Sequence, residues 1–372
     1  MKTPAAEIAV NGRPVASLFN ERLVSVTIVD KEGVTSDTIC CDLNDGNPFA
    51  QIPQKGDLVE ASLGYVETGL GFFGTYIVDD PEVRCLPYGM TINGKGANVR
   101  DELKQHRSRH WDGKTVKDIV SQIAGEHGLA AVIDAEIGAH VYEWFGQQDE
   151  SDLHVVERLA RRHDALFSIK DRKMVFAAKG SGLSAGGKPL TPVVATPDKI
   201  VAGTCRINFA HRNRYKKVKG RVQDRAQAKL IEIEVDSDEE GTADYTLSEP
   251  FADEAEAERA AKAKGSALKS ETIRTTATLY GDPTIRAGAP FRYAGVRPGV
   301  DEIEFIIETA THRLTKAGYL TEVEAKLKPK VAEAGKAGGG TPSPEDGTST
   351  LATPPPAAPV PALPTPGGIG SK

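Results

Sequence analysis

The stretch GLGFFG, Gly69 to Gly74, decides between two folds. As a pattern it is G-x-G-x-x-G, the fingerprint of the dinucleotide-binding turn in a doubly wound α/β sheet. That turn works because a helix starts directly after it and aims its free N–H groups at a pyrophosphate. Here the chain goes on as Thr75, Tyr76, Ile77 and Val78, residue types that favour a strand. With no helix to follow, the pattern predicts a glycine-bearing β-turn between LGYV (63–66) and TYIVDD (75–80), inside a β fold.

The surroundings agree. Across residues 1–95, RLVSVTIVD (22–30), SDTICCDL (36–43), DLVEASLGYV (57–66) and GTYIVDDP (74–81) are β-branched or alternating, with turn residues between them. Short strands at that spacing predict a barrel or sandwich.

Between 96 and 190 the period changes. KTVKDIVSQIAGEHGL places Val116, Ile119, Val120 and Ile123 on one helical face, with Thr115 and Asp118 as an N-cap pair and Gly128 as a stop. ESDLHVVERLARRH predicts a second helix, capped by Ser151, with Leu153, Val156, Leu159 and Ala160 inward. ALFSIKDRKMVFA predicts a hairpin around KDRK, so the segment is a small α+β unit.

Residues 191–330 return to strands. RINFAHRNRYKKVKGRVQ and KLIEIEVDSDEEG read as long antiparallel neighbours, and ADEAEAERAAKAKGSALKSE as a helix built from strong helix formers. DEIEFIIETATHRL and YLTEVEAKLK flank the turn KAG as a final hairpin. From 331 to 372 the composition falls to Pro, Gly, Ala, Ser and Thr. Such a segment buries too little apolar surface to offset its ordering entropy and is expected to be extended. The fold class is therefore mainly β with an α+β insertion. Two barrel-like β domains (1–95 and 191–330) flank a small α/β unit (96–190), and a Pro-rich tail follows (331–372).

Composition narrows the function classes. The net charge of −6 gives no general attraction to nucleic acid, and no apolar run approaches the roughly 18 residues of a membrane span. The N-terminal MKTPAAEIAV lacks the apolar core of a secretory signal, which predicts a cytoplasmic start. Cys40, Cys41, Cys85 and Cys205 form no C-x-x-C pair and read as small buried hydrophobes. A second phosphate-loop look-alike, Gly182, Gly187 and Lys188, is followed by Pro189 where magnesium binding needs Ser or Thr. His106 and His110, four apart, would share a helix face, but no third ligand is evident and a solvated basic turn fits better. His154 and His163 lie on the second helix without an exposed nucleophile beside them. Aromatic residues make up only 6% of the chain, too few for a well-lined sugar cleft. No catalytic, cofactor or metal site is predicted.

The basic run Arg212, Arg214, Lys216, Lys217, Lys219 and Arg221 has two readings. At strand period several of these side chains share a face, which is either solvated or set against an acidic partner or a tube lumen. Only Tyr215 interleaves, which argues against specific nucleic-acid binding. The neighbouring EVDSDEEGTAD is available to pair with it across a subunit boundary.

Taken in order, these pieces resemble one family. The segments 111–133, 147–176 and 251–328 are similar to the late control D family of contractile-tailed bacteriophages. The marks are ESDL (150–153), EAEAERAAKAK (254–264), GDP…AG (281–288) and RPG…THRL…GY (297–319). GYVETGLGFFGTYIVDD (64–80) fits the family's first barrel, and the likeness spans about residues 5–328. The two strand-rich halves show no internal repeat by eye.

The resemblance implies a non-enzymatic baseplate hub, related to the hub part of type VI secretion spikes. It implies a homotrimer whose six barrels form a ring between the hexameric tail tube and the trimeric puncturing spike, assembled in the host cytoplasm and carried in the virion. Tube, spike and other baseplate proteins are the implied partners. A tailocin or type VI-like hub, and a tail-associated cell-wall hydrolase, are the alternatives.

Overall fold

The computed structural model describes residues 2–14, 21–33, 37–96, 102–170, 172–179, 189–210, 214–224, 229–251 and 253–328. The phosphate-loop look-alike at 182–188, Arg212 and the Pro-rich tail lie outside them.

Seven strands open the chain: β1 (Pro4–Val10), β2 (Arg13–Pro14), β3 (Leu23–Lys31), β4 (Thr38–Asn44), β5 (Leu58–Tyr65), β6 (Gly69–Cys85) and β7 (Tyr88–Gly96). Strand periodicity sets their core. Val26 and Ile28 of β3 and Ile39, Cys41 and Leu43 of β4 point inward, where they meet Leu63, Tyr76, Val78 and Met90. Leu314 and Tyr319, from the far end of the sequence, complete this cluster.

The middle part holds β8 (His106–Thr115), α1 (Val116–Glu126), β9 (Ala130–Ile133), α2 (Ala135–Gly138), β10 (Val141–Ser151), α3 (Asp152–Arg162), β11 (Ala165–Lys170) and β12 (Lys173–Ala178). Helix α1 begins where the sequence predicts, because Thr115 and Asp118 exchange side-chain to backbone bonds of 3.0 and 3.1 Å. Val116, Ile119, Val120 and Ile123 are fully buried. Ser151 caps α3 by accepting from His154 N–H at 3.2 Å. The buried stripe of α3 is Val155, Val156, Leu159 and Ala160, while Leu153 is only partly covered. Strands β8 and β10 pair antiparallel, and β11, β12 and β9 form a separate sheet.

The last part contains β13 (Val193–Ala195), β14 (Arg206–Phe209), β15 (Tyr215–Asp224), β16 (Lys229–Asp236), β17 (Ala243–Phe251), α4 (Glu254–Ser270), β18 (Ile273–Tyr280), β19 (Pro290–Tyr293), β20 (Phe305–Thr315) and β21 (Gly318–Leu327). The single long strand read across 206–223 is two strands in different sheets. β14 pairs with β18, whereas β15 joins β16 and β17 in a three-stranded sheet. That sheet has its own small core of Val222, Phe251, Ala257 and Ala260, so α4 covers it rather than the main sheet.

The main sheet has the order β14-β18-β21-β20-β3-β4-β7-β6-β5-β1-β2, with β19 on β20 and β13 on β19. Strands from the two ends of the sequence meet at its centre, where β20 pairs with β3 from Thr309–Lys31 to Thr315–Ser25. A second main-sheet core, with Phe291, Tyr293, Phe305, Ile307 and Val323, fills the C-terminal half. The molecule is mainly β with small helical insertions.

Candidate interaction surfaces

The GLGFFG stretch is the first part of β6, and the strand runs on to Cys85 with no helix. The turn lies earlier than the sequence suggests: Tyr65 pairs with Gly69, and Val66 to Thr68 make the reversal. Ser62 pairs with Phe72 and Ala61 with Gly74, which leaves Phe73 as the extra residue of a β-bulge. Gly74 takes φ +132° at this bulge, a backbone that side chains rarely tolerate. A Cβ on Gly71 would sit 2.8 Å from Pro283 Cβ. Phe73 packs edge-on against His312, with ring centroids 4.5 Å apart, and the Arg286 guanidinium lies 3.8 Å from its ring centre. Arg286 also donates to the Phe72 carbonyl at 2.9 Å. The glycines thus let one half of the protein close on the other. Phe72, on the opposite side, is 56% exposed.

On the basic strand, Lys217, Lys219 and Arg221 form one row. Lys217 Nζ lies 2.6 Å and Lys219 Nζ 2.9 Å from the Glu234 carboxylate, and Lys219 reaches Asp244 at 3.0 Å. Arg221 faces Glu232 at 3.6 Å. The two lysine hydrogen bonds hold Glu234 down to about 2. Arg214 engages Asp238 and Glu240, and Lys216 is exposed out of step with the row. The acidic neighbours therefore compensate this row within the chain. The opposite face carries Val218 and Val222 against α4.

Sequence reasoning missed the apolar end of the β6–β7 hairpin. Leu86 is 84% exposed between the two strands. Phe49, on the β4–β5 connection, stacks edge-on with the exposed Tyr88 at 5.2 Å. The available signal was Leu86-Pro87-Tyr88, apolar residues flanking a proline-marked reversal, which polar turn chemistry does not explain. A contiguous exposed apolar group of this kind marks a contact surface more often than a scattered leucine does.

Among the described residues, the histidines singled out in the sequence make local contacts. His106 and His110 lie on strand β8, not a helix, facing Asp149 at 3.5 Å and Asp112 at 3.3 Å. His127 meets Asp152 at 2.9 Å in a buried network with Arg109 and Gln147, which ties the end of α1 to the start of α3. Among the described residues no group of three or more His, Cys, Asp or Glu side chains is placed to hold a metal ion. Among the same residues no helix is long and apolar enough to cross a membrane. Cys41 is buried, and burial pushes its thiol up to about 12, whereas Cys85 is exposed, unlike the buried hydrophobe expected.

The fold is mainly β, and among its exposed features are a charge-compensated strand face and an apolar hairpin end. Residues 84–318 match the phage tail baseplate hub (GPD) family, and the chain belongs to that family. It is 26% identical to a probable baseplate hub protein of Escherichia phage 186, over 87% of this chain and 93% of that protein. It is 25% identical to a probable baseplate hub protein of Escherichia phage P2, over 88% and 94%. A 43 kDa tail protein of prophage MuSo2 from Shewanella oneidensis shares the fold, with TM-score 0.64 at 15% identity over 87% of this chain and 98% of that one. So does an Escherichia coli component of the type VI secretion system, with TM-score 0.52 at 11% identity over 87% and 77%. The protein is a baseplate hub component of a phage-type tail.

Proposed function

We propose that the protein acts as a homotrimeric ring joining the hexameric tail tube to the trimeric spike, through contacts and without catalysis. The observation that supports this most directly is the likeness to probable baseplate hub proteins along nearly the whole of their length. In this reading residues 1–95 and 191–330 are the two barrel-like domains, 96–190 the insertion, and 331–372 an extended strap along another tail protein. Two domains in each of three chains match a six-membered tube. The basic run Arg212, Arg214, Lys216, Lys217 and Lys219 is taken as a salt-sensitive contact with an acidic partner surface, in which Lys217 and Lys219 exchange their in-chain pairs for new ones. Assembly takes place in the host cytoplasm. Native mass measurement of the purified chain, alone and with its spike protein, tests the proposal. Trimers, or trimers formed only on the spike, are expected; a monomer that ignores the spike overturns it.

The shared fold with a type VI secretion component supports a second reading, a hub in a non-infectious injection machine. Capsid and terminase genes next to this one would favour a phage, and their absence the second reading.

A further inference from the structure

The contact between the insertion and helix α4 is built from two imidazoles and two guanidiniums. From α3, Arg162 donates to Glu256 of α4 at 2.6 Å and lies 3.8 Å from Glu249 of β17. Its guanidinium also rests over the rings of Phe145 and Phe251, 5.9 and 5.7 Å from their centres. From α4, Arg259 Nη2 sits 3.2 Å from His140 Nε2. A guanidinium only donates, so this nitrogen of His140 has to be the bare acceptor of a neutral ring. The His140 ring lies 5.0 Å from that of His163, the residue that ends α3. Tyr142 of β10 stands edge-on to both rings, and its hydroxyl is 2.9 Å from His163 Nε2.

The charges facing this pair come from every element around it. Arg162 is supplied by α3 and Arg259 and Glu256 by α4. Asp253 caps α4 by accepting from Glu256 N–H at 2.7 Å, and Glu249 is supplied by β17. Asp253 and Glu256 favour a proton on His140, but burial and Arg259 outweigh them. The two guanidiniums are the charges set against a proton on either ring. Burial, helped by His140, Arg259 and Arg162, drives His163 down to about 3, and burial with Arg259 lowers His140.

We propose that this seam is a proton-operated latch: protonation of His140 and His163 breaks the Arg259 bond, sets four cations together, and frees α4 and the β15–β17 sheet from the insertion. The unit has the means to move separately. Among the described residues its strands pair only with one another, and it has a core of its own. With the folded pKa depressed, the closed seam binds fewer protons than the open one. The latch is fully closed above the ordinary histidine value of 6.5 and is weakened as pH falls from there toward 3. Each proton taken up favours opening about tenfold for every pH unit below that value.

Hydrogen exchange on the full-length protein tests the latch. Between pH 7.5 and 4.5, after correction for intrinsic exchange, protection of α4 and β17 amides is expected to fall by about tenfold or more per pH unit in the acid range. Amides of α1 are expected to keep theirs. The main sheet is no control, because His312, paired with Ile28 of β3, is also held at about 3 by burial and by Arg286. The paired variant His140→Gln and His163→Gln keeps an acceptor for Arg259 and is expected to lose the acid response of α4. A response unchanged in this variant, or no selective loss in the natural protein, overturns the proposal. If the variant does not fold, histidine ring-proton titration of the natural protein decides: both rings resisting protonation well below 6.5 supports the latch, and ordinary titration of both excludes it.

Discussion

Lys170 joins the insertion to the main sheet. Its ammonium lies 2.5 Å from Asp30 Oδ1 and 3.3 Å from Asp37 Oδ2, and the other Asp30 oxygen accepts from Ala287 N–H at 2.9 Å. Burial alone would raise the Asp30 carboxyl, but the charge and hydrogen bond of Lys170 outweigh it and hold Asp30 below its usual range. Asp37, partly buried and beside the Asp30 charge, is held above that range. Lys170→Met would leave Asp30 buried without its cation, at a cost of about 3–5 kcal/mol. Urea unfolding at neutral pH measures it; a loss under about 1 kcal/mol would mean the site relaxes into water. None of this was legible beforehand. Lys170 reads as part of a polar hairpin turn and Asp30 as a strand end, and nothing in either segment says that residues 140 positions apart meet.

Where a signal is local, the sequence carries it. The cap of α1 is written in Thr115 and Asp118, and the helix starts there. Thr115→Ala should remove about 1 kcal/mol of stability, whereas Gly71→Ala should remove about 1–3 kcal/mol because its Cβ meets Pro283. Thermal unfolding of both variants ranks them; a harmless Gly71→Ala would mean that the 281–286 loop yields. The first effect follows from spacing alone. The second depends on a loop more than two hundred residues away, so the glycines of GLGFFG look the same in sequence whether they serve a ligand or a close approach. The division at 206–223 was hidden for a related reason. Both pieces have strand composition, and only pairing partners tell which sheet each joins.

For the whole molecule, the class of fold was readable because strand and helix periods alternate in long blocks. Its connectivity was not. Ending the chain at Lys330 should leave the unfolding midpoint unchanged and weaken incorporation into particles, measured by calorimetry and by counting assembled tails. Normal particle numbers would reduce the tail to a spacer. The exposed hairpin end at Leu86 and Tyr88 is apolar surface that a single chain has no reason to favour.

The seam between β3 and β20 has a consequence for how the protein is made. Strand β3 leaves the ribosome long before its partner, so the main sheet cannot be completed until β20 has emerged. Until then β3 presents an unpaired edge, open to mispairing with other nascent chains. The insertion between them has a core drawn wholly from residues 103–176 and is able to form while the ribosome is still working. It would then shorten the loop that has to close, lowering the entropy barrier to the last and most distant pairing.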